Sequence, residues 1–576
     1  MKMTAEEFRF ELSARLRQHA DDVLLRVIVS GNRSVDLTGG KILEESRRAA
    51  QLSTAPAGHV VLLLLPHSVE LFLLHIGLIL TGRIPAILPW PTSRVDLEKY
   101  QRNLLHQFRN LPAAELITIP SLAASLQPAL PYRVTGCSME GIAMWEKAFS
   151  IPLQVSEVDH AKSGVMALQD PGAALFLQFS GGTTGAQKAV IITAGMLVGQ
   201  LERLREALEF SSADLVVSWL PLYHDMGLIG CLWLPLWNTA PSVQFAASDW
   251  LMNPGFLFEC LERYRGTYCW LPNFAFSYMA SQRERMDGPY SLSHVRGFIN
   301  CSEPVRFRSL RGFFETFADW GVSMNQMQAS YAMAENVFAV TQTKIARAPS
   351  TAARKDLFFE RAGATRAFDL TDDQFVSSGE PLGNMQVRIV EPQGNVCSER
   401  STGEIQIFTE CLFGGYWGHK GYTRNHLTSE GWYATGDFGF MADGELYVIG
   451  RLKDIVIVGG QNIFPEDIES LVNAVSGIYP GRVVAFGVMN DHDTESLIVV
   501  AEMKGTYDRE RAAALEAEIA KLVRTVIGIS PGRVYVYPER WIVKSTAGKI
   551  SRRETRERYL RDLAQRADQL VAAEAN

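Results

Sequence analysis

Short apolar runs alternate with longer segments of helical spacing along most of the chain. The clearest case is Val60 to Pro89. Val60–Leu65 is a continuous aliphatic run, Val69–Leu80 is long enough for a helix, and Ile84–Leu88 is apolar again. Length separates strands from helices in such runs, so the stretch predicts strand, helix, strand. Pro66, His67, Glu70 and His75 interrupt it, and no run reaches the ~20 apolar residues that a membrane helix needs. Further apolar runs lie at Ala174–Phe179, Leu215–Leu220, Gly297–Asn300 and Val387–Val390. The alternation predicts an α/β architecture, with sheets covered by helices. Thr4 and Glu7 have the spacing of a capping box for a first helix. The first residues, MKMTAEEFRFELSARL, lack an apolar core, so no secretory signal is expected.

Two segments break the pattern. Residues 344–374 are polar and rich in Arg and Ala between well-patterned neighbours, as an inserted excursion or a mobile loop would be. After Gly450-Arg451-Leu452-Lys453-Asp454 a self-contained α/β pattern runs on to Asn576. A boundary there divides the chain into 1–451 and 452–576. The 576 residues allow about three or four domains of ordinary size in all.

Composition narrows the classes. Hydrophobic residues make up 47% and charged residues 21%, a globular balance that leaves little room for long disorder. A net charge of −7 argues against a general nucleic-acid binder, which needs a basic face. The seven cysteines show no C-x-x-C pair, so neither a zinc cluster nor a disulfide framework is suggested. A reducing compartment, the cytoplasm, is expected.

Five segments carry candidate chemistry. Ser180-Gly181-Gly182-Thr183-Thr184-Gly185-Ala186-Gln187-Lys188 follows a strand-like run. Its glycines allow close backbone approach to a phosphate, its hydroxyls donate, and Lys188 adds a charge. The spacing is not that of a Walker loop, and a flexible turn reads equally well. In Ser218-Trp219-Leu220-Pro221-Leu222-Tyr223-His224-Asp225-Met226-Gly227, His224 can face a reacting carboxylate or be a satisfied buried histidine. In Ser330-Tyr331-Ala332-Met333-Ala334-Glu335, a carboxylate beside an aromatic can hold Mg²⁺ next to a stacked base, or be a surface Glu on a core segment. Asp437, at the end of Trp432–Asp437, can accept from ribose hydroxyls with Arg451 adding a donor fork, or form a surface salt bridge. Lys549, after Lys544-Ser545-Thr546-Ala547-Gly548, can project from a small-residue loop, or belong to a basic patch with Arg552 and Arg553. Each is weak alone. Together and in this order they supply a phosphate loop, a metal carboxylate, a ribose acceptor and a mobile lysine.

In this motif set the chain resembles the adenylate-forming superfamily: acyl-CoA synthetases, peptide-synthetase adenylation domains and luciferases. The resemblance runs over nearly the whole chain. It is strongest to fatty acyl-AMP ligases, through residues 218–230, Asn300-Cys301-Ser302-Glu303-Pro304-Val305-Arg306, and the long stretch between Glu335 and Gly379 where those enzymes carry an insertion. The resemblance implies a large N-terminal domain of stacked α/β subdomains with a β-rich subdomain, plus a small mobile C-terminal α+β lid. It implies ATP and Mg²⁺, a carboxylic acid of the fatty class, and a thiol acceptor on CoA or an acyl carrier protein.

It also implies roles. Ser180, Gly182, Thr183, Thr184, Gly185 and Lys188 would cover the β- and γ-phosphates. Ser302, Glu303, Pro304 and Tyr331 would hold the adenine, with Tyr331 stacked on it. Glu335, with Ser180, would hold Mg²⁺. Asp437 would bind the ribose hydroxyls, assisted by Arg451. Lys453 sits at the hinge position, His224 would lie beside the substrate carboxylate, and Lys549 would be the catalytic lysine. The run Val458–Ile463 would line the thiol channel after rotation.

The chain departs from the family pattern in places. Gly181 replaces a Ser, Gln187-Lys188-Ala189 replaces Pro-Lys-Gly, and Tyr331-Ala332 replaces Tyr-Gly. Altered loop mobility rather than lost activity is expected. Asp225 leaves open an amino-acid or aryl-acid adenylation enzyme, because it can pair with an α-ammonium. A non-catalytic nucleotide-binding relative is the third reading, but Glu335, Asp437, Arg451 and Lys549 are all in place. No carrier attachment motif follows residue 550, so a carrier would act in trans.

Overall fold

The aliphatic run Val60–Leu64 is a strand with all five residues buried, and Ile84–Ile87 pairs with it in parallel. Helix Val69–Leu80 links them and begins at Ser68, whose Oγ accepts the Leu71 N–H at 3.3 Å. The helix is apolar nearly all round because it is covered on more than one side. Gly77 lets the backbone of helix Gly39–Ala49 come close: a Cβ there would lie 1.9 Å from the Ser46 carbonyl oxygen. The computed structural model describes residues 3–30, 33–90, 113–126, 133–138, 174–179, 188–353, 374–417, 426–458, 461–489, 495–544 and 550–574.

These strands belong to a six-stranded sheet. Its spatial order is Arg133–Gly136, Glu115–Thr118, Val60–Leu64, Ile84–Ile87, Ala174–Phe179, Ala189–Thr193. All neighbours are parallel except the last pair. A nine-stranded sheet runs Glu380–Pro381, Ala339–Gln342, Met327–Ala332, Gly297–Cys301, Tyr268–Leu271, Val216–Ser218, Ser242–Gln244, Val23–Ser30, Arg33–Thr38. From Met327–Ala332 to Val23–Ser30 its pairs are parallel. A four-stranded antiparallel sheet comprises Gln386–Val390, Gly403–Phe408, Tyr433–Ala442 and Glu445–Arg451. A three-stranded sheet, Ile478–Met489, Glu495–Met503 and Arg533–Tyr537, lies near the end of the chain with helices Pro465–Asn473, Arg509–Ile527 and Arg552–Glu574. The chain is thus mixed α/β with several sheets, as the alternation predicts.

Most sequence-predicted elements form within a residue or two of their expected ends. The Thr4–Glu7 capping box closes in both directions, at 2.8 and 3.2 Å. Leu215–Leu220 is shorter than its apolar pattern: only Val216–Ser218 is strand. The Leu220 N–H turns to Ser218 Oγ at 3.0 Å and leaves the ladder.

The largest apolar core draws on residues from Ala5 to Leu446. Two further cores draw only on Val456–Val536 and on Val484–Tyr559. A fourth joins Ala352, Phe375, Phe440 and Tyr447 to Phe464. Residues 344–374 leave along Thr351–Ala353 and return along Gln374–Val376, two strands paired antiparallel. Residues 354–373 of that excursion lie outside the described residues. No helix among the described residues is long and apolar enough to cross a membrane.

Candidate active site

The central parallel strands of the nine-stranded sheet end at one edge, and the candidate residues follow those ends. His224 comes after Val216–Ser218, Ser302-Glu303-Pro304 after Gly297–Cys301, and Glu335 after Met327–Ala332. Carboxyl ends of parallel strands are where open α/β sheets bind ligands, because the connecting turns leave a crevice there.

The turn after Gly297–Cys301 is held from the neighbouring strand. Asn273, just past Tyr268–Leu271, accepts from Asn300 Nδ2 at 3.0 Å and from the Arg306 N–H at 3.1 Å. Glu303 Oε2 accepts the Phe274 N–H at 3.1 Å. Ser302 has φ +74°, a conformation that costs a non-glycine residue energy and persists only when its surroundings impose it.

Tyr331 lies in strand Met327–Ala332 with its phenol buried. It donates to Asp437 Oδ2 at 2.7 Å. Arg451 Nε lies 3.1 Å from the other oxygen, Oδ1, and the two residues are paired across the antiparallel ladder. Burial and the Asp437 carboxylate push the Tyr331 pKa well up, so the phenol stays a donor. The Asp437 charge in turn favours the charged form of Arg451.

Glu335 is held by a distant segment. Tyr416 donates to Glu335 Oε1 at 2.6 Å, and the Phe413 N–H donates to the Glu335 carbonyl at 2.7 Å. Lys188 Nζ lies 5.0 Å from the Tyr416 ring centroid, within cation–π range. Two residues after Glu335, Val337 has φ +66° and ψ −51°, and the Phe338 N–H reaches back to the Asn336 carbonyl at 2.7 Å. This is a strained γ-turn at a β-branched residue, beside the candidate metal carboxylate.

His224 precedes an eight-residue π-helix, Met226–Trp233, whose turns close one residue later than α-turns. Such helices are rare and concentrate at functional sites. Asp225 Oδ1 caps it through the Met226 N–H at 2.9 Å. Gly227 is needed at its start, because a Cβ would lie 2.4 Å from the Pro221 carbonyl oxygen.

Lys453 follows Arg451 in a short 3₁₀ turn, Leu452–Asp454. Its pKa is lowered by burial and then by the Arg451 charge, with a smaller contribution from Lys188. The hinge candidate and the phosphate-loop candidate are therefore close enough for their charges to interact. Ser180, Gly182, Thr183, Thr184, Gly185 and Lys549 lie outside the described residues, as do Gly181 and Gln187. Lys544 and Ile550, on either side of the Lys549 segment, pair antiparallel.

Asn273 and Tyr416 escape the sequence reading. Asn273 carries no motif. Tyr416 is marked only by Gly414-Gly415 before it, a signal shared with any turn.

The donor set suits magnesium. Tyr416 occupies one oxygen of Glu335, and Oε2 makes no hydrogen bond among the described residues. Magnesium takes one or two protein carboxylates and completes its shell with phosphate oxygens and water.

The chain is similar to known proteins. The profile of the AMP-binding enzyme family matches residues 12–417. A Mycobacterium tuberculosis protein named as a ligase is 28% identical over 524 residues, covering 89% of this chain and 93% of its own. The 4-hydroxyphenylalkanoate adenylyltransferase of the same organism is 29% identical over 551 residues, covering 90% of this chain and 85% of its own. Among solved structures, a fatty acyl-adenylate ligase, from work on the E. coli and L. pneumophila enzymes, superposes with TM-score 0.79 at 23% identity, covering 96% of this chain and 98% of its own. The chain therefore belongs to the AMP-binding enzyme family and is an acid-activating ligase.

Proposed function

We propose that the chain joins a carboxylic acid to AMP from ATP, releases pyrophosphate, and passes the acyl group to a phosphopantetheine thiol on a carrier protein. One observation carries the first half. Tyr331 and Glu335 flank the carboxyl end of one strand, Met327–Ala332, where Tyr331 meets Asp437 and Arg451 of the four-stranded sheet and Glu335 meets Tyr416, whose ring faces Lys188.

A carboxylate is a poor electrophile, because its charge is delocalised and its leaving group would be oxide. Its attack on the α-phosphorus of ATP gives a mixed anhydride and expels pyrophosphate. Negative charge builds on phosphate oxygens, so fixed positive charge and positioning do most of the work. Asp437 has a lone pair left on each oxygen after Tyr331 and Arg451 are served, and these accept from the ribose hydroxyls. The Ser302–Pro304 turn and the Tyr331 ring hold the adenine. Lys188, with Ser180, Gly182, Thr183, Thr184 and Gly185, covers the β- and γ-phosphates, and Lys549 neutralises the reacting centre. His224 lies beside the acid. Glu335, with Ser180, holds Mg²⁺, which when bound offsets charge on the phosphate oxygens.

In this reading residues 1–451 form the nucleotide-binding domain and 452–576 a lid that turns about Lys453. Two apolar cores confined to residues after the 452–454 turn support it, and a smaller one crosses the turn at Phe464. The carrier preference rests on the 344–374 excursion. Ala352 and Phe375 of its two described strands share one apolar cluster with Phe464, so its base and the part that must rotate are packed into the same core. An insertion so placed restrains the lid from the pose that free CoA would need. The acid has an apolar tail, fatty or aryl-alkyl, in keeping with the apolar 218–280 region and with the names of the relatives. Seven cysteines without a disulfide among the described residues fit a reducing compartment, the cytoplasm in this reading.

The acceptor is tested by product analysis. Fatty and arylalkanoic acids are supplied with ATP and either CoA or a phosphopantetheinylated carrier. Acyl-carrier should form, and acyl-CoA should form little. Robust acyl-CoA would refute the carrier preference and leave acid activation standing.

A further inference from the structure

We infer that Tyr416 is a positioning residue that couples the metal carboxylate Glu335 to the phosphate-loop lysine, so that nucleotide phosphates and divalent cation bind as one unit. The inference rests on the proposed ATP-dependent activation and assigns a residue that the sequence motifs leave without a role.

The coupling is built from backbone first. Strand Ala189–Thr193 begins immediately after Lys188 and is the edge strand of the six-stranded sheet. The Phe413–Trp417 segment docks on that edge. Gly414 N–H donates to the Ile191 carbonyl at 3.3 Å, Ile191 N–H to the Gly415 carbonyl at 3.0 Å, and Trp417 N–H to the Ala189 carbonyl at 2.8 Å. Tyr416 is thereby fixed opposite Val190, two residues from Lys188. The same segment grips Glu335 twice, at its carbonyl through the Phe413 N–H and at its carboxylate through the Tyr416 hydroxyl.

Tyr416 therefore presents two functional surfaces. Its ring face receives the Lys188 ammonium at 5.0 Å, and its hydroxyl orients Glu335 at 2.6 Å. With Oε1 occupied, Oε2 is the oxygen turned to a cation. Residues that orient metal ligands in this way typically change metal affinity by about 10–100-fold when removed. Glu335 and Lys188 are 147 positions apart in the chain and flank strands of different sheets, and this one side chain spans them.

Tyr416→Phe keeps the ring over Lys188 and deletes the hydroxyl that donates to Glu335. Tyr416→Leu deletes both. Binding of ATP is followed by its protection against thermal unfolding, in EDTA and across an Mg²⁺ titration, with no acid present. In Tyr416→Phe the Mg²⁺ concentration for half-maximal protection should rise about tenfold, while ATP protection in EDTA stays as in wild type. In Tyr416→Leu protection in EDTA should fall as well. Manganese bound to the protein–ATP complex, read by electron paramagnetic resonance, should weaken in parallel in both variants. An unchanged Mg²⁺ titration in Tyr416→Phe overturns the inference. So does an equal loss of protection with and without Mg²⁺, or a wild type that gains nothing from Mg²⁺. Failure of the enzyme reading is scored apart, by the absence of acyl-adenylate from every acid.

Discussion

Tyr331 and Asp437 lie 106 positions apart, yet the phenol of one donates to the carboxylate of the other at 2.7 Å. The bond joins the nine-stranded sheet to the four-stranded antiparallel one, and Arg451 braces the same carboxylate from the adjoining strand. A buried carboxylate held by two donors is fixed in orientation before any ligand arrives. That fixed orientation is what a ribose diol requires of its acceptor.

Tyr331→Phe should therefore raise the KM for ATP by about tenfold, the value of one hydrogen bond to a charged group, and leave the KM for acid near wild type. Asp437→Asn should be the more severe change, because Arg451 also loses its ion pair. Initial-rate kinetics with each substrate varied in turn separates the effects. An acid KM that moved as much as the ATP KM would show that this carboxylate orients more than the nucleotide.

Lys453 sits in a 3₁₀ turn, Leu452–Asp454, that directly follows strand Glu445–Arg451. Proline there fixes φ and removes one backbone donor, so a large change of φ/ψ is denied. Lys453→Pro should keep acyl-adenylate formation within a few-fold of wild type and lose most thioester formation. Equal loss of both half-reactions would contradict a pivot at this position.

The C-terminal segment carries its own charge problem. Arg552 meets three carboxylates: Asp454 at 2.6 Å, Glu466 at 3.0 Å and Glu469 at 2.9 Å. One cation cannot balance three anions, and burial raises the Glu469 pKa to about 7 from 4.5. A carboxyl whose folded pKa is raised contributes stability that is complete below the unfolded value. The contribution is lost as pH climbs through the folded value. The melting temperature should thus fall between roughly pH 5 and pH 8, and Glu469→Gln should flatten that slope and melt higher at pH 8. A variant that melted lower at pH 8 while keeping the slope would refute the protonated carboxyl.

How far the sequence reveals all this varies with the kind of contact. Val69–Leu80 is legible to the residue, because Ser68 caps it and Pro66 precedes it. The placement of His224, Ser302 and Glu335 after strand ends follows from reading apolar runs as strands. The π-helix Met226–Trp233 is not legible, since a segment apolar on every side has no periodicity to distinguish one helix type from another. Tyr416 and Asn273 act across 81 and 27 positions, and nothing local signals such partners. Phe464, beyond the boundary read after Arg451, packs with Phe438 of the preceding sheet, rings 5.6 Å apart, and Arg306 reaches Asp467 at 3.8 Å. A boundary read from pattern marks where a sheet ends, whereas contacts of this kind depend on the fold on both sides.

The most direct test is acid-dependent exchange of pyrophosphate into ATP, run across a panel of fatty, arylalkanoic and amino acids with wild type and Lys549→Ala. Wild type should exchange with acids bearing an apolar tail. The variant should keep its melting temperature and lose about 10²–10³ in rate, the usual cost of one charge-stabilising donor. Undiminished exchange in Lys549→Ala would contradict a lysine from the tail acting in the cleft, and no exchange by wild type with any acid would contradict the cleft's chemistry itself.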